Sequence, residues 1–177
     1  ALSLSLSGSR TITALETYTT STSVGTTYFT HTVASGNEAT VTVAVTGPDT
    51  AGNAAVASGT TTFAIDTTAP TVTSIVRASS AAALTNTSPV FTVTFSESVS
   101  GVVAANFSAN KGTGVSGTES IAVSGSGTTW TVTVSGLTGD YGTNTNATVG
   151  LTVVPGTTIS DTAGNLLTSA KIGRAHV

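Results

Sequence analysis

The stretch PVFTVTFS, residues 89–96, places two threonines between three large apolar residues, Phe91, Val93 and Phe95. Successive side chains of a strand point to opposite faces, so the three apolar residues share one face and the threonines share the other. A strand with one apolar and one polar face is typical of an antiparallel sheet that covers a core on one side only. The stretch therefore predicts a β-strand in an all-β fold, and two later stretches alternate in the same way, residues 129–135 and 147–154.

The composition favours strands and tight turns over helices. Threonine and serine make up about a third of the 177 residues, glycine contributes 19, and only 7% of residues are charged. β-Branched threonine and valine suit a pleated surface, whereas glycine and serine suit turns. Disorder is the competing interpretation of such a chain, but disordered segments have low hydrophobicity, and here the mean hydropathy is +0.32.

Charge and cysteine content argue against several classes of function. The formal net charge is −3 with only five lysines and arginines, so the chain lacks the basic surface that neutralises nucleic acid. It has no cysteine for a disulfide or a thiolate metal site. No apolar run reaches the roughly 18 residues of a membrane span. We therefore predict no nucleic-acid partner and no membrane span within these residues.

The pentapeptide DTAGN occurs twice, at residues 49–53 and 161–165. The 112-residue spacing of the copies suits a repeated β-sandwich domain of about 100 residues. Between them, Pro70 ends the stretch DTTAP, and proline favours extended backbone in the residue before it. This stretch therefore predicts a short, stiff linker. We predict a first domain over residues 1–68 and a second over residues 69–170.

Strand-like stretches in the second domain are separated by glycine, serine and asparagine, as in a β-sandwich. They are residues 71–77, 89–96, 106–109, 119–124, 129–135 and 147–154. A seventh strand should follow the second DTAGN, but we expect the chain to lose it after Leu167, so that this sandwich is truncated at its C-terminus. We expect the first domain to be truncated at its N-terminus and to lack strand A. Its opening alternation of leucine with serine, at Leu2, Leu4 and Leu6, resembles the second strand of the other domain.

The last seven residues, KIGRAHV, differ from everything before them. They contain three basic residues, Lys171, Arg174 and His176, although the preceding domain is nearly uncharged. They also lack the threonine and serine that are frequent in the rest of the chain. We predict that residues 171–177 are a non-native tail, and we leave them out of the functional reasoning.

Several motifs carry a resemblance to a known family. VTVAV at residues 41–45 is followed by DTAGN and then by FAIDTTAP at residues 63–70. FTVTFSESVSG at residues 91–101 is followed by ANF at residues 105–107 and by the second DTAGN. In this order the motifs resemble the end of one bacterial immunoglobulin-like repeat and the start of the next, as found in large surface adhesins. The resemblance covers nearly all of residues 1–170.

This resemblance implies tandem immunoglobulin-like β-sandwiches at an extracellular or cell-surface location. It implies a structural stalk or spacer, whose partners are neighbouring repeats of the same chain and a distal protein or glycan receptor. An alternative is a glycan- or protein-binding accessory module of a secreted protein or of a polysaccharide-degrading enzyme. An exposed aromatic patch would favour that alternative, and the candidates for it are Tyr18, Tyr28 and Tyr141.

The residues offer no catalytic centre. Nucleophilic catalysis needs a nucleophile with a base in hydrogen-bond reach, and His31 is the only histidine outside the tail. Glycoside hydrolysis needs two carboxylates across a cleft, whereas the acidic residues here are scattered singly through turns. We predict that the chain is not an enzyme and has no catalytic residue.

Oxygen-bearing side chains should converge at one end of the second sandwich. In this fold the B-to-C and F-to-G loops lie at the end where strand A starts. Glu97 follows the second strand, Asp161 and Asn165 lie in the last loop, and Asp66 precedes the first strand. Calcium binds six to eight oxygens, and adjacent carboxylates repel unless a cation neutralises them. The pattern therefore indicates a calcium site at the junction of the two domains.

A second hypothesis treats DTAGN as a turn and nothing more. Aspartate at the start of a turn accepts backbone N–H groups, and glycine followed by asparagine tolerates positive φ. The sequence leaves open whether DTAGN is a turn alone or a turn that also binds calcium. In the first copy the equivalent ligands are Asp49 and Asn53, which we expect to point toward a preceding domain that these residues do not include.

Overall fold

Two compact units make up the chain in the computed structural model, Ala1–Thr68 and Ala69–Val177. The division falls within the stretch that the sequence predicts to be a linker. The structure describes residues 3–8, 21–23, 26–28, 36, 39–46, 53, 61–78, 88–139, 148–154 and 158–176.

The first unit contains five described strands. They are β1 (Ser3–Gly8), β2 (Ser21–Ser23), β3 (Thr26–Tyr28), β4 (Ala39–Thr46) and β5 (Thr61–Ile65). β4 lies between β1 and β5 in an antiparallel sheet, and β2 pairs with β3 in a separate two-stranded ribbon. The first DTAGN comes between β4 and β5 in the chain, so the repeated motif joins two neighbouring strands of one sheet.

The described residues of the second unit form seven strands. They are β6 (Val72–Arg77), β7 (Val90–Phe95), β8 (Phe107–Lys111), β9 (Val115–Ser126), β10 (Thr129–Gly139), β11 (Thr148–Val153) and β12 (Lys171–His176). One antiparallel sheet has the order β6-β7-β10-β9 and the other the order β12-β11-β8. Lettered A to G along the chain, these are the A-B-E-D and G-F-C sheets of an immunoglobulin sandwich. The only helix among the described residues is one 3-10 turn, Ala104–Asn106. The all-β prediction is confirmed.

The core of the second unit consists of the inward faces of these two sheets. Phe91, Val93 and Phe95 of β7 are at most 2% exposed, as their alternation predicts. The opposite sheet contributes a fully buried row from β11, namely Val149, Leu151 and Val153. Trp130 packs half-buried against this cluster, and its indole N–H donates to the carbonyl oxygen of Gly127 at 3.1 Å. It therefore belongs to the core and forms no exposed aromatic platform.

The prediction that the second unit loses its last strand is wrong. β12 pairs antiparallel with β11, from Lys171 opposite Val153 to His176 opposite Thr148. A composition that differs from the rest of the domain does not prevent this pairing, because the ladder uses backbone N–H and C=O groups that any residue except proline supplies. That residues 171–177 are a non-native tail stays a prediction.

The prediction that the opening strand corresponds to the second strand of the other unit is also wrong. β1 pairs with β4, the strand before the first DTAGN, just as β8 pairs with β11, the strand before the second DTAGN. β1 is therefore the counterpart of β8. Alternation of leucine with serine shows that a strand has two unlike faces, but it carries no information on which neighbour the strand pairs with.

Candidate functional site

The segment that leads into the second unit is held against the end of β7. The Thr71 N–H donates to Ser96 Oγ at 2.9 Å, and the Ser96 N–H donates to the Thr71 carbonyl oxygen at 2.8 Å. The neighbouring Pro70 is buried. Because Ser96 directly precedes Glu97, these bonds fix the point at which Glu97 leaves the sheet.

The loop after β7 is joined to the loop after β11. The Ser100 N–H donates to the Ser160 carbonyl oxygen at 2.8 Å, and the Ser160 N–H donates to the Ser100 carbonyl oxygen at 3.2 Å. Ser160 is the residue before Asp161. The B-to-C and F-to-G loops therefore lie together at one end of the sandwich, as the fold predicts, and they bring Glu97 and Asp161 to that end.

The second DTAGN closes into a compact turn around a buried carboxylate. Asp161 is only 4% exposed. The backbone N–H of Asn165 donates to Asp161 Oδ1 and its side-chain amide donates to Oδ2, each at 2.8 Å. In return the Asp161 N–H donates to the Asn165 carbonyl oxygen at 3.1 Å. Gly164 has φ +94°, a conformation that glycine adopts without strain. The aspartate, the glycine and the asparagine of the motif thus each have a structural role within the turn.

Asp66, Glu97 and Asp161 come together as the sequence predicts. One carboxylate oxygen from each residue lies within 4.8 Å of those from the other two. Asp66 is exposed, Glu97 half-buried and Asp161 buried, so the cluster extends from the surface into the sandwich. Asp66 Oδ1 also accepts the Thr68 N–H at 3.0 Å, which forms a local turn. Three negative charges at this separation repel one another, and the repulsion grows with burial.

The remaining predicted ligands are less well defined. Asn165 donates its amide to Asp161, so its oxygen faces away from that carboxylate, and its place in a metal site stays a prediction. Asp49 lies outside the described residues, and Asn53 is exposed. A metal site at the first DTAGN therefore also stays a prediction.

Two opposing effects determine the acidity of Asp161. Burial raises the pKa of this carboxyl, but the bonds from the Asn165 side chain and from the backbone N–H groups of Asn165, Gly164 and Ala163 outweigh burial. The pKa consequently lies below its ordinary value of 3.8. A carboxyl whose pKa is lower in the folded than in the unfolded state adds stability above its ordinary pKa, and that stability is lost as the pH falls through the lowered value.

We expect Asp161→Asn to destabilise the second unit near neutral pH by about 1–3 kcal/mol, because it replaces a charged acceptor with an amide that meets the Asn165 amide. The difference in unfolding free energy from the wild-type chain should narrow as the pH falls below about 4. Urea unfolding in the presence of a chelator, followed by the fluorescence of the single tryptophan, measures it. A difference that stays constant down to pH 2 would contradict the pKa assignment.

Sequence reasoning missed the polar group that supports both loops. Asn106 is 4% exposed, and its Oδ1 accepts the Val103 N–H at 2.7 Å. Its side-chain amide donates to Thr158 Oγ1 at 2.9 Å, and its main-chain carbonyl oxygen accepts the Val154 N–H at 2.8 Å. One side chain thus links the loop before β8 to the loop after β11. A single asparagine beside a short apolar stretch gives no sequence signal for this role.

Several residues that the sequence offered as candidates for a catalytic base or an aromatic binding patch lie outside the described residues. His31, Tyr18 and Tyr141 lie in segments that are not described, and of Tyr28 only the backbone is. Within the described ranges, no helix has the length and apolar character needed to cross a membrane.

A family model described as a bacterial Ig-like domain matches residues 66–175, a segment that includes all three clustered carboxylates. No curated protein and no solved structure matches the chain.

Proposed function

Because the chain belongs to the bacterial Ig-like domain family, we propose that it forms tandem spacer repeats in the stalk of a secreted or cell-surface bacterial adhesin. The family is structural rather than enzymatic, and such domains typically occur in extracellular or surface proteins. The observation that carries the spacer role is the entry segment of the second unit, which two hydrogen bonds between Thr71 and Ser96 hold against the end of β7. A stalk transmits force along the chain, so a fixed entry segment suits that role.

The entry segment itself supports a stiff connection. Asp66 accepts the Thr68 N–H in a local turn, and Pro70 is buried. Thr71 uses both its N–H and its carbonyl oxygen to bond with Ser96. Few backbone torsions remain free between these contacts, and proline removes one more. Repeats joined in this way would project a distal binding region, whose protein or glycan receptor lies outside this chain.

Calcium at the carboxylate cluster completes the proposal. Asp66, Glu97 and Asp161 would supply three carboxylates, and the Asn165 amide oxygen, backbone carbonyls and water would supply the other ligands that calcium requires. The ion would offset the repulsion among the three charges. It would also tie the entry segment to both loops of the second unit, which restricts bending at that point.

We expect calcium to raise the midpoint of thermal unfolding of the second unit. At a free concentration 100-fold above the dissociation constant the gain is about 2.7 kcal/mol, or roughly 10 °C for a unit of this size. Tryptophan fluorescence during heating, with calcium or with excess chelator, measures the shift. Glu97→Gln should abolish the shift, whereas Glu119→Gln, which removes a carboxylate paired with Lys111 on another part of the domain, should retain it.

The two parts of the proposal can fail separately. A midpoint of thermal unfolding that calcium does not change would contradict the metal site but not the spacer role. Several copies of the chain fused end to end should scatter X-rays as a rod if the chain is a spacer. Scattering typical of a compact or freely jointed particle would contradict the spacer role itself.

A further inference from the structure

β9 forms one edge of the four-stranded sheet and is unusually long. It runs over 12 residues, about twice the mean length of a strand. Among the described strands it pairs only with β10, so its other side has no strand partner. Natural sheets seldom leave a long edge strand open, because its unpaired N–H and C=O groups pair readily with another chain.

The hairpin between β9 and β10 fixes which backbone groups face outward. Gly127, with φ +63°, and Thr128 form a two-residue turn, so Ser126 and Thr129 are a hydrogen-bonded pair. In an antiparallel ladder hydrogen-bonded and non-hydrogen-bonded pairs alternate. Ser124, Ala122 and Ser120 therefore direct their N–H and C=O groups toward β10. The alternate residues direct theirs away from it, namely Ile121, Val123 and Gly125.

The open part of the edge is the half next to the hairpin. At the other half, Lys111 donates its ammonium to the Gly117 carbonyl oxygen at 2.9 Å and to Glu119 Oε2 at 2.7 Å. That side chain therefore occupies the edge near Gly117. Residues 120–126, SIAVSGS, contain no charge and no proline, two of the features with which edge strands prevent pairing.

We propose that residues 120–126 of β9 pair antiparallel with the same residues of a second copy of this chain. Centred on Val123, the pairing puts Ile121 opposite Gly125 of the other copy and Val123 opposite Val123. All three outward residues then form hydrogen-bonded pairs, which gives six backbone hydrogen bonds between the copies. The four-stranded sheets of the two copies join edge to edge.

A second copy suits this edge better than an unrelated partner because the segment is complementary to itself. Ser120, Ala122, Ser124 and Ser126 are exposed on the outer face of the sheet. In the proposed register these small side chains lie opposite one another, so nothing clashes and no like charges meet. A strand that pairs with a charged or bulky partner would carry an opposite charge or a pocket for the partner's side chains, and residues 120–126 have neither.

The association should be weak for one pair of domains. Seven paired residues bury less surface than the roughly 1,200 Å² typical of a stable complex. Antiparallel pairing directs the two copies in opposite directions along their strands. Repeats of two stalks that lie side by side in opposite directions would therefore add many such contacts, and linked weak contacts give a much higher overall affinity. The inference is independent of calcium and of the spacer role, since it rests only on the edge of one sheet.

Sedimentation equilibrium of the full chain tests the proposal. The average mass should rise above the monomer value of 17.3 kDa as the concentration increases. The double variant Ala122→Lys, Ser124→Lys places charges on the edge that oppose each other in the pair, and it should raise the dissociation constant at least tenfold. The control Thr168→Lys, Ser169→Lys adds the same charge at exposed positions outside both sheets and should associate like the wild-type chain.

Amide hydrogen exchange provides a readout that is specific to the register. The amides of Ile121 and Val123 should become protected as the chain associates, whereas the Ser124 amide, already bonded to β10, should not change. Thermal unfolding of both lysine variants checks that they fold. A wild-type chain that stays monomeric would overturn the proposal, and so would an edge variant that associates as tightly as the control. Binding of an extended peptide by a monomeric chain would also overturn it.

Discussion

Gly101→Ala is expected to destabilise the second unit by about 3 kcal/mol or more, because it combines backbone strain with a steric overlap. Gly101 has φ +72°, a conformation that strains an L side chain. A Cβ at this position would also overlap the carbonyl oxygen of Thr158, so the two loops would have to separate. That separation would break the backbone pairing of Ser100 with Ser160.

Gly164→Ala is the matched control. Gly164 also has a positive φ, of +94°, but a Cβ there would have no heavy atom within 4 Å beyond Gly164 and its two chain neighbours. Only the backbone strain remains, so we expect a loss of about 1–2 kcal/mol. Urea unfolding followed by Trp130 fluorescence reports on the second unit alone, because that tryptophan is the only one in the chain. Equal losses at the two glycines would show that the loops do not approach each other at Gly101.

Phe91→Ala is expected to cost about 3–5 kcal/mol of unfolding free energy, which is a large part of the stability of a domain of this size. The Phe91 ring is 1% exposed and lies on a central strand, between β6 and β10, where neighbouring strands cannot collapse into the cavity. The loss combines the transfer of the ring to water with the cavity left behind.

Thr92→Ala is the control for this substitution. Thr92 is the next residue of β7 and points to the other face of the sheet, where it is half exposed. Its replacement removes no buried apolar group, so we expect a change below about 1 kcal/mol, set by strand propensity. The same fluorescence-detected urea titration compares the two variants. Similar losses at Phe91 and Thr92 would mean that the inward and outward faces of β7 are misassigned.

Strand alternation made most of the second sandwich predictable. Phe91, Val93 and Phe95 are buried as expected, because a period of two leaves only one arrangement in which a half-apolar strand can cover a core. The same period does not specify a partner, which is why β1 was matched with the wrong strand. Nor does it detect a strand such as β12, whose pairing depends on backbone groups more than on its side chains.

Fold topology also made the carboxylate cluster predictable. Asp66, Glu97 and Asp161 are far apart in sequence, and only the known order of loops in a sandwich places them at one end. The bonds that orient them were not predictable, since the Ser96 hydroxyl that holds Thr71 and the buried Asn106 are single polar residues in a chain rich in such residues. The two bonds by which Asn165 orients the Asp161 carboxylate were also not predictable, and the place of Asp161 in a calcium site stays a prediction.

The opposite edge of the four-stranded sheet differs from β9. The Lys171 ammonium donates to the carbonyl oxygens of Val72 and Thr73 on β6, so part of that edge is already occupied by the chain itself. A sheet that pairs only through β9, because the β6 edge is partly occupied, cannot add copies indefinitely. Its growth ends when two open sides meet, which gives discrete pairs rather than fibres.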